Sequence, residues 1–427
     1  MQRSRTQTHP DRRWDDSPRC ASLPLPRTHA RPPMLQMALF FLVMTTVWAA
    51  AHYYVARRLL SSAGPHARWR AAIPAILVAH FLFTVGTFAA RDLDPNHAWV
   101  SLLKTIGYLG VGGFSSLAAV FALVDLALFG GAAFERWRTR RNPHAGPVDP
   151  ERRAFLTRSA HLGVVGGAVA FTAVGHANTW TPPELVRIDI PHDDLPPGLD
   201  GFRIVHLSDI HLGPTVSPDF LVDLVRRTNA LDPDLVAITG DLIDGHVRHI
   251  GHWLDPLADL RARHGTFFCT GNHEYYWDGP AWCQAVEARD VTVLNNRHVL
   301  RTHGDDRLAI AGCTDYTAGQ LVPEHASDPV AALDGAPDDA FRIMLAHQPL
   351  SIHESARAGA HLQLSGHTHG GQYFPWNLVV GAFHPYTTGL HLHDRTAIYV
   401  SRGTAWWGPP MRLGAPAEMT LITLRQG

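Results

Sequence analysis

Apolar residues are spread along this chain in two different ways. From Met34 the run MLQMALFFLVMTTVWAAAHYYVA is free of charge over a length sufficient to cross a bilayer. Similar runs follow at about 71–90 (AAIPAILVAHFLFTVGTFAA) and about 105–134, with a shorter one at 159–177 (SAHLGVVGGAVAFTAVGHA). Beyond Glu184 the pattern changes to short apolar runs, each ending in a polar loop that often carries glycine. FRIVHLSD (202–209), DLVAITGD (234–241), GTFFCTGN (265–272), RLAIAGCTD (307–315), RIMLAHQP (342–349) and HLQLSGHTHG (361–370) read as buried strands running into loops. IYVSRG (398–403) and MTLITLRQ (419–426) close the series, and residues 218–231 carry helical spacing. The expectation is a module of about four transmembrane helices over 34–180, then an α/β domain over 184–427.

The loops between the long runs set an orientation. The first (ARRLLSSAGPHARWR) carries four Arg and no acid, and the third (residues 135–158) carries seven Arg. The second, RDLDPNHA, is slightly acidic. Positive loops stay in the cytoplasm, so the second loop and the C-terminal domain are expected outside, on the periplasmic face of a bacterial inner membrane. The same rule places the N-terminus outside, against the seven Arg of residues 1–33, an Arg- and Pro-rich arm with no hydrophobic period. Translation starting at Met34 would remove the conflict. Arg152-Arg153-Ala154-Phe155-Leu156 is similar to a twin-arginine export signal, which makes the export machinery an expected partner; two further positive-inside arginines are the plainer reading.

The strand ends gather metal-binding side chains. Asp209 and His211 follow the first strand, Asp241 and Asp244 the second, and Asn272, His273 and Glu274 the third. His347 sits in LAHQP, and His367 and His369 in GHTHGGQ. Singly, each is a common turn, cap or core histidine. Together they place carboxylate, imidazole and amide oxygen at the carboxyl ends of strands, where ligands collect in α/β folds. Such donors suit Mn, Fe or Zn, and their number exceeds the needs of one ion. Two divalent ions sharing a carboxylate fit better.

Composition adds limits. The chain has 427 residues and a net charge of −1, which gives no reason to expect nucleic acid as a partner. Its 28 His are too many to be ligands by count alone, so spacing has to select them. Cys20, Cys269, Cys283 and Cys313 form no CxxC pair, so a thiolate zinc site is not expected; a Cys283–Cys313 disulfide stays open.

The ordered series Asp209/His211, Asp241, Asn272/His273, His347 and His367/His369 resembles that of the calcineurin-like metallophosphoesterase superfamily over roughly residues 200–427. GHTHGGQ and the closing SRGTAWWGPPMRLGAPAEMTLITL look like its membrane-associated, YkuE/YaeI-like bacterial branch. The resemblance implies a four-layer α/β/β/α sandwich. It implies one metal held by Asp209, His211, Asp241 and His369, and another by Asp241, Asn272, His347 and His367, with Asp241 bridging. It further implies hydrolysis of a phosphomonoester or phosphodiester by a hydroxide between the metals. His273, not a ligand, becomes the general acid, oriented by Asp244.

Asn272 and Arg412 are the expected substrate contacts, Arg412 by pairing with phosphate. Trp406 and Trp407 either meet lipid, sugar or the membrane face or pack on the last strand. Gly370 and Gly371 are expected to let backbone pass close to the metals, and Gln372 to orient that turn. At the outer face of a membrane, lipid-linked or cell-envelope phosphoesters are the expected substrates. A non-catalytic metal-binding membrane sensor is the alternative. A transporter role for the helices finds little support, Asp125 being the main charge inside the apolar runs.

Overall fold

The computed structural model describes residues 33–63, 68–141 and 150–427. The expected N-terminal arm up to residue 32 lies outside the described residues, as do the tips of the two Arg-rich loops (64–67 and 142–149) and the side chains of Met34 and Arg153. Four long helices come first: α1 (Pro33–Ser62), α2 (Ala72–Ala89), α3 (Ala98–Arg141) and α4 (Pro150–Ala177). Among the described residues, three helical stretches are long and apolar enough to cross a membrane: Ala72–Ala89, Ala98–Arg141 and Ala154–Trp180. The first expected run forms α1, which packs against the other helices through Val55, Trp48 and Leu59. Asp125, the charge within the third run, is satisfied inside the bundle by the Tyr54 hydroxyl and by Arg58 Nε at 2.6 Å.

The rest of the chain forms two six-stranded sheets. The first has the order β1 (Glu184–His192), β12 (Glu418–Gln426), β2 (Arg203–Leu207), β3 (Leu235–Thr239), β4 (Thr266–Cys269), β5 (Thr292–Val293). The second has the order β10 (Gly389–His393), β11 (Thr396–Val400), β9 (Leu362–Ser365), β8 (Phe341–Leu345), β7 (Asp306–Gly312), β6 (Arg297–His303). Both are mixed; β2, β3 and β4 run parallel, as do β7, β8 and β9.

Strand alternation builds the layers. Leu235 and Ala237 of β3 face the inter-sheet core with Leu308 and Ile310 of β7, Ile343 and Leu345 of β8, and Leu362 and Leu364 of β9. The intervening Val236 and Ile238 face the other way, onto α5 (Pro218–Asn229), which contributes Leu221, Leu224 and Val225. On the far side, Ala311 and Met344 pack with Ala332 and Leu333 of a short helix. Central strands covered on both faces can be mostly apolar, as β3 and β4 are, while β2 and β9 bury His206 and Gln363 among their apolar residues. The result is the expected α/β/β/α sandwich. Cys269, Cys283 and Cys313 are buried and free, so the Cys283–Cys313 bridge does not form; Cys20 lies outside the described residues.

Candidate metal centre

The chemistry-bearing side chains all leave the carboxyl ends of parallel strands. Asp209 and His211 follow β2, Asp241 and Asp244 follow β3, and Asn272 and His273 open a one-turn helix (Asn272–Tyr276) after β4. His347 follows β8, and His367 and His369 follow β9 in the other sheet. The first two loops zip together: the Asp209 amide donates to Gly240 O (3.1 Å), that of His211 to Asp241 O (3.0 Å) and that of Leu212 to Leu242 O (2.9 Å). The sheets meet where the His367 amide donates to both Asp209 carboxylate oxygens, 3.0 Å each.

Two groups of donors result. Asp209, His211 and His369 converge, and so do Asp241, His347 and His367, the ligand atoms of each group lying within 4.8 Å of one another. In the first, His369 Nε2 is 3.3 Å from Asp209 Oδ1 and 3.1 Å from His211 Nε2. In the second, His347 Nε2 is 3.2 Å from Asp241 Oδ2 and from His367 Nδ1. Asp241 Oδ2 also stands 3.8 Å from His211 Nε2, so one carboxylate oxygen faces both groups. Asn272 Oδ1 is buried without a hydrogen-bond partner. A buried oxygen left unpaired costs stability unless a cation occupies its lone pairs. The donor set therefore fits divalent metal ions, with two clusters of three ligand residues each.

A third group, His211, Asp244 and His273, adjoins the first two. Asp244 Oδ1 forms a short hydrogen bond with His273 Nδ1, and Asp244 Oδ2 lies 3.2 Å from His211 Nδ1. Burial opposes a charge on His273, but Asp244 and Asp241 outweigh it and hold its pKa up at about 9. Burial likewise opposes the Asp244 carboxylate, which His273 and His211 nevertheless keep well below the usual range. Asp244 thus joins His273 to the first metal group. His367 and His369 are lowered, first by burial and then by the neighbouring charges of His347 and Arg412 respectively, whereas burial of His347 is outweighed by Asp241, which holds its pKa well up.

The backbone of this centre is unusual. Asp209, His211, Asp241, His367 and His369 all have positive φ, between 50° and 70°. Left-handed backbone at non-glycine residues is uncommon and collects at functional sites. Glycine serves a different need at Gly366, where a Cβ would stand 1.9 Å from Ser208 Oγ and 2.2 Å from Asp209 Oδ2. This close approach belongs to Gly366 and not to Gly370 and Gly371. A Cβ at Gly370 would meet Thr388 Cγ2 (2.9 Å), and one at Gly371 would meet the Asn377 backbone (2.3 Å).

Glu274 stood in the third donor cluster of the sequence without a role, and His384 was not singled out at all. The buried Glu274 carboxylate accepts the amides of Gly271 (2.6 Å), Leu242 (2.8 Å) and Asp241 (3.0 Å), tying the second and third loops together. Its signal was present, since a Glu three residues into a helix reaches back to the residue before it. His384 places its ring 5.0 Å from that of His367, and nothing in its local sequence marks it.

Arg412 departs from expectation. It is fully buried, with Nε on Ala405 O (2.8 Å), Nη1 on His369 O (3.0 Å), Arg402 O (2.8 Å) and Ala415 O (3.2 Å), and Nη2 2.9 Å from His369 Nδ1. A guanidinium so engaged has little left for phosphate; it braces the back of His369. Gln372 ties its turn to the closing segment, with Nε2 on Trp407 O (3.0 Å) and Pro409 O (2.8 Å) and Oε1 accepting from the Trp407 amide (2.9 Å). The tryptophans divide: Trp406 is 8% exposed and packs on Phe220, while Trp407 is 49% exposed, with its ring 5.5 Å from that of His273.

The sequence of residues 202–371 matches the calcineurin-like phosphoesterase family. A transmembrane protein with metallophosphoesterase domain from Bos taurus is 35% identical over 371 residues, covering 84% of this chain and 80% of that one. The chain belongs to the calcineurin-like phosphoesterases. Within this family the Bacillus subtilis metallophosphoesterase YkuE is 31% identical over 284 residues, covering 64% of this chain and 97% of YkuE. Among solved structures, the 5'-nucleotidase precursor of Thermus thermophilus aligns with 52% of this chain and 54% of its own, at 16% identity and a TM-score of 0.32. As a calcineurin-like phosphoesterase, the protein has hydrolase ancestry and buried clusters able to bind divalent metal ions.

Proposed function

We propose that the protein hydrolyses phosphoesters, mono- or diesters, at a dinuclear metal centre on the outer face of a bacterial inner membrane. The observation that carries this reading is the placement of Asp241 Oδ2 between two donor groups, with Asn272 Oδ1 unpaired beside them. Divalent ions such as Mn, Fe or Zn, when bound, supply Lewis acidity toward phosphate oxygens and a water acidified toward neutral pH. The protein's own contribution is positional. Asp209 and Asp241 concentrate negative charge among imidazoles, and the paired loops fix the distance between the groups. His273, protonated and hydrogen-bonded to Asp244, presents its remaining N–H to a leaving oxygen. Such a positioned acid is worth about 10²–10⁴-fold in rate. Asn272 doubles as a substrate contact through its amide.

Sidedness is supported by contacts between the helices and the phosphoesterase domain. In the loop joining α2 to α3, Arg91 Nη2 donates to Tyr276 O (3.1 Å), Asp92 meets His246 (2.9 Å) and Asn96 Nδ2 donates to His249 O (2.8 Å). These contacts support a common side for this acidic loop and the domain, and the positive-inside rule favours the external side for a loop that lies between two Arg-rich ones. The location favours lipid-linked or cell-envelope phosphoesters. Hydrolysis of a nitrophenyl phosphodiester by the Mn-loaded protein is the direct test; full activity in His273→Ala or Asp241→Asn would refute the assignment of these residues.

A further inference from the structure

One stripe of α3 joins the metal centre to the membrane interior. Lys104, Tyr108, Gly112, Ser116 and Val120 recur every fourth residue and so form one ridge, which winds about the helix by roughly 40° per step while covering about 24 Å along the axis. At the top, the α2–α3 loop clasps the rim of the centre; Arg91 lies 4.7 Å from the Trp277 ring, and Asp92 holds His246, two residues past Asp244. Further down, Gly112 faces the closing segment so closely that a Cβ there would stand 2.6 Å from Met411 Sδ. Ser116 Oγ then donates to Phe374 O at 2.8 Å, and Phe374 is only five residues past His369.

Below that hydrogen bond, α3 and α4 part around a cavity of about 420 Å³. Ser116, Val120, Gly163, Gly167, Phe171 and Phe374 line it, and Gly163 and Gly167 are exposed on its outer side. Residues 160–171 of α4 lie roughly 9–26 Å from its end at Ala177, at 1.5 Å per residue. That depth falls inside a stretch long and apolar enough to cross the bilayer. A cavity with so few polar groups gives water nothing to bind, and one set among lipid tails is filled by a chain of the same kind.

We infer that this groove seats an acyl chain of the substrate, an amphiphile whose phosphoester headgroup reaches the metal centre along the α3 stripe. The inference rests on the phosphoesterase reading and names the class of substrate. The groove is continuous with the interface between α3 and the phosphoesterase domain, and its wall, Phe374, belongs to the loop that follows the His367–His369 turn. Lipid tails are as apolar as the groove, so seating a chain brings no hydrophobic transfer energy. Its effect is to fix where the headgroup stands, a matter of orientation.

Gly163 and Gly167 allow a clean test, because an added Cβ at either has no atom within 4 Å. A leucine there adds bulk at the groove's lining while its Cβ meets no atom of α3. The full chain is reconstituted in phosphatidylcholine vesicles with a phosphatidic acid carrying a photoreactive chain end, or with the matching diacylglycerol probe. Labelling of the groove residues by the phosphate-headed probe exceeds that by diacylglycerol by about tenfold and is lost in Gly167→Leu, while kcat/KM on an acylated phosphoester falls about tenfold and that on bis(p-nitrophenyl) phosphate stays unchanged. Equal labelling by both probes, labelling that survives both Gly163→Leu and Gly167→Leu, or an equal loss on both substrates overturns the groove. Selective labelling without hydrolysis of either substrate overturns the phosphoesterase reading and leaves the groove standing. Hydrolysis of the soluble ester without selective labelling does the reverse.

Discussion

The His367 amide donates to both carboxylate oxygens of Asp209, 3.0 Å each, so the last donor turn is anchored on the first. The contact forms only because Gly366 brings no side chain against Ser208 and Asp209. Gly366→Ala forces these loops apart and misplaces the imidazoles of both donor groups. A shift of about 1 Å at a catalytic centre costs on the order of 10²-fold, so kcat/KM should fall by that amount, with weaker metal retention on dialysis. Near wild-type activity in Gly366→Ala would contradict the close approach.

Glu274 governs the other pair of loops. Its carboxylate satisfies three buried amides, those of Asp241, Leu242 and Gly271. Glu274→Ala leaves three donors unpaired, and each costs roughly 1–3 kcal/mol when buried. Thermal unfolding of the purified variant should show a clear drop in midpoint, together with reduced metal content. Glu274→Gln should fall between, since an amide offers one accepting oxygen where the carboxylate offers two.

Arg412 separates bracing from substrate binding. Its donors face five backbone carbonyls and His369 Nδ1. Arg412→Met should therefore destabilise the domain by about 3–5 kcal/mol, as expected for a broken buried network, and lower metal occupancy. In the fraction that remains folded and metal-loaded, KM should change little. A large rise in KM with intact stability would restore the phosphate contact that the sequence suggested.

His206 predicts a pH dependence of stability. It is fully buried on β2, with Nε2 2.8 Å from Thr239 Oγ1, and burial lowers its pKa from 6.5 to about 3. Above pH 6.5 it is neutral in both folded and unfolded chains. Between 6.5 and about 3 the unfolded chain takes up a proton that the fold refuses, so stability is lost as pH falls through that window. One proton corresponds to a slope of about 1.4 kcal/mol per pH unit. Melting curves across this range should show a flatter dependence in His206→Gln than in wild type.

Much of this was legible in the sequence, for identifiable reasons. Central strands buried on both faces announced themselves as short, largely apolar runs, and the donor series fell at their carboxyl ends. The edge strands β1, β6 and β10 were missed because half-exposed sequences such as RHVLRTH and GLHLH read as loops until a neighbour pairs with them. The positive φ of Asp209, His211, Asp241, His367 and His369 leaves no trace in residue type, since neither Asp nor His demands it. Arg412 was read as a phosphate ligand because its charge is visible in sequence and its complete burial is not. Gly366 was overshadowed by the more conspicuous Gly370-Gly371 pair for the same reason: the space around a glycine belongs to the tertiary fold.

The central claim is that Asp241 joins two metal sites. The most direct check is the metal stoichiometry, by elemental analysis, of the protein purified after loading with Mn, Fe or Zn, compared with Asp241→Asn. A shared carboxylate requires about two ions per chain in the wild type and a loss extending to both sites in the variant. A single ion per active wild-type chain, or undiminished occupancy in Asp241→Asn, would contradict it.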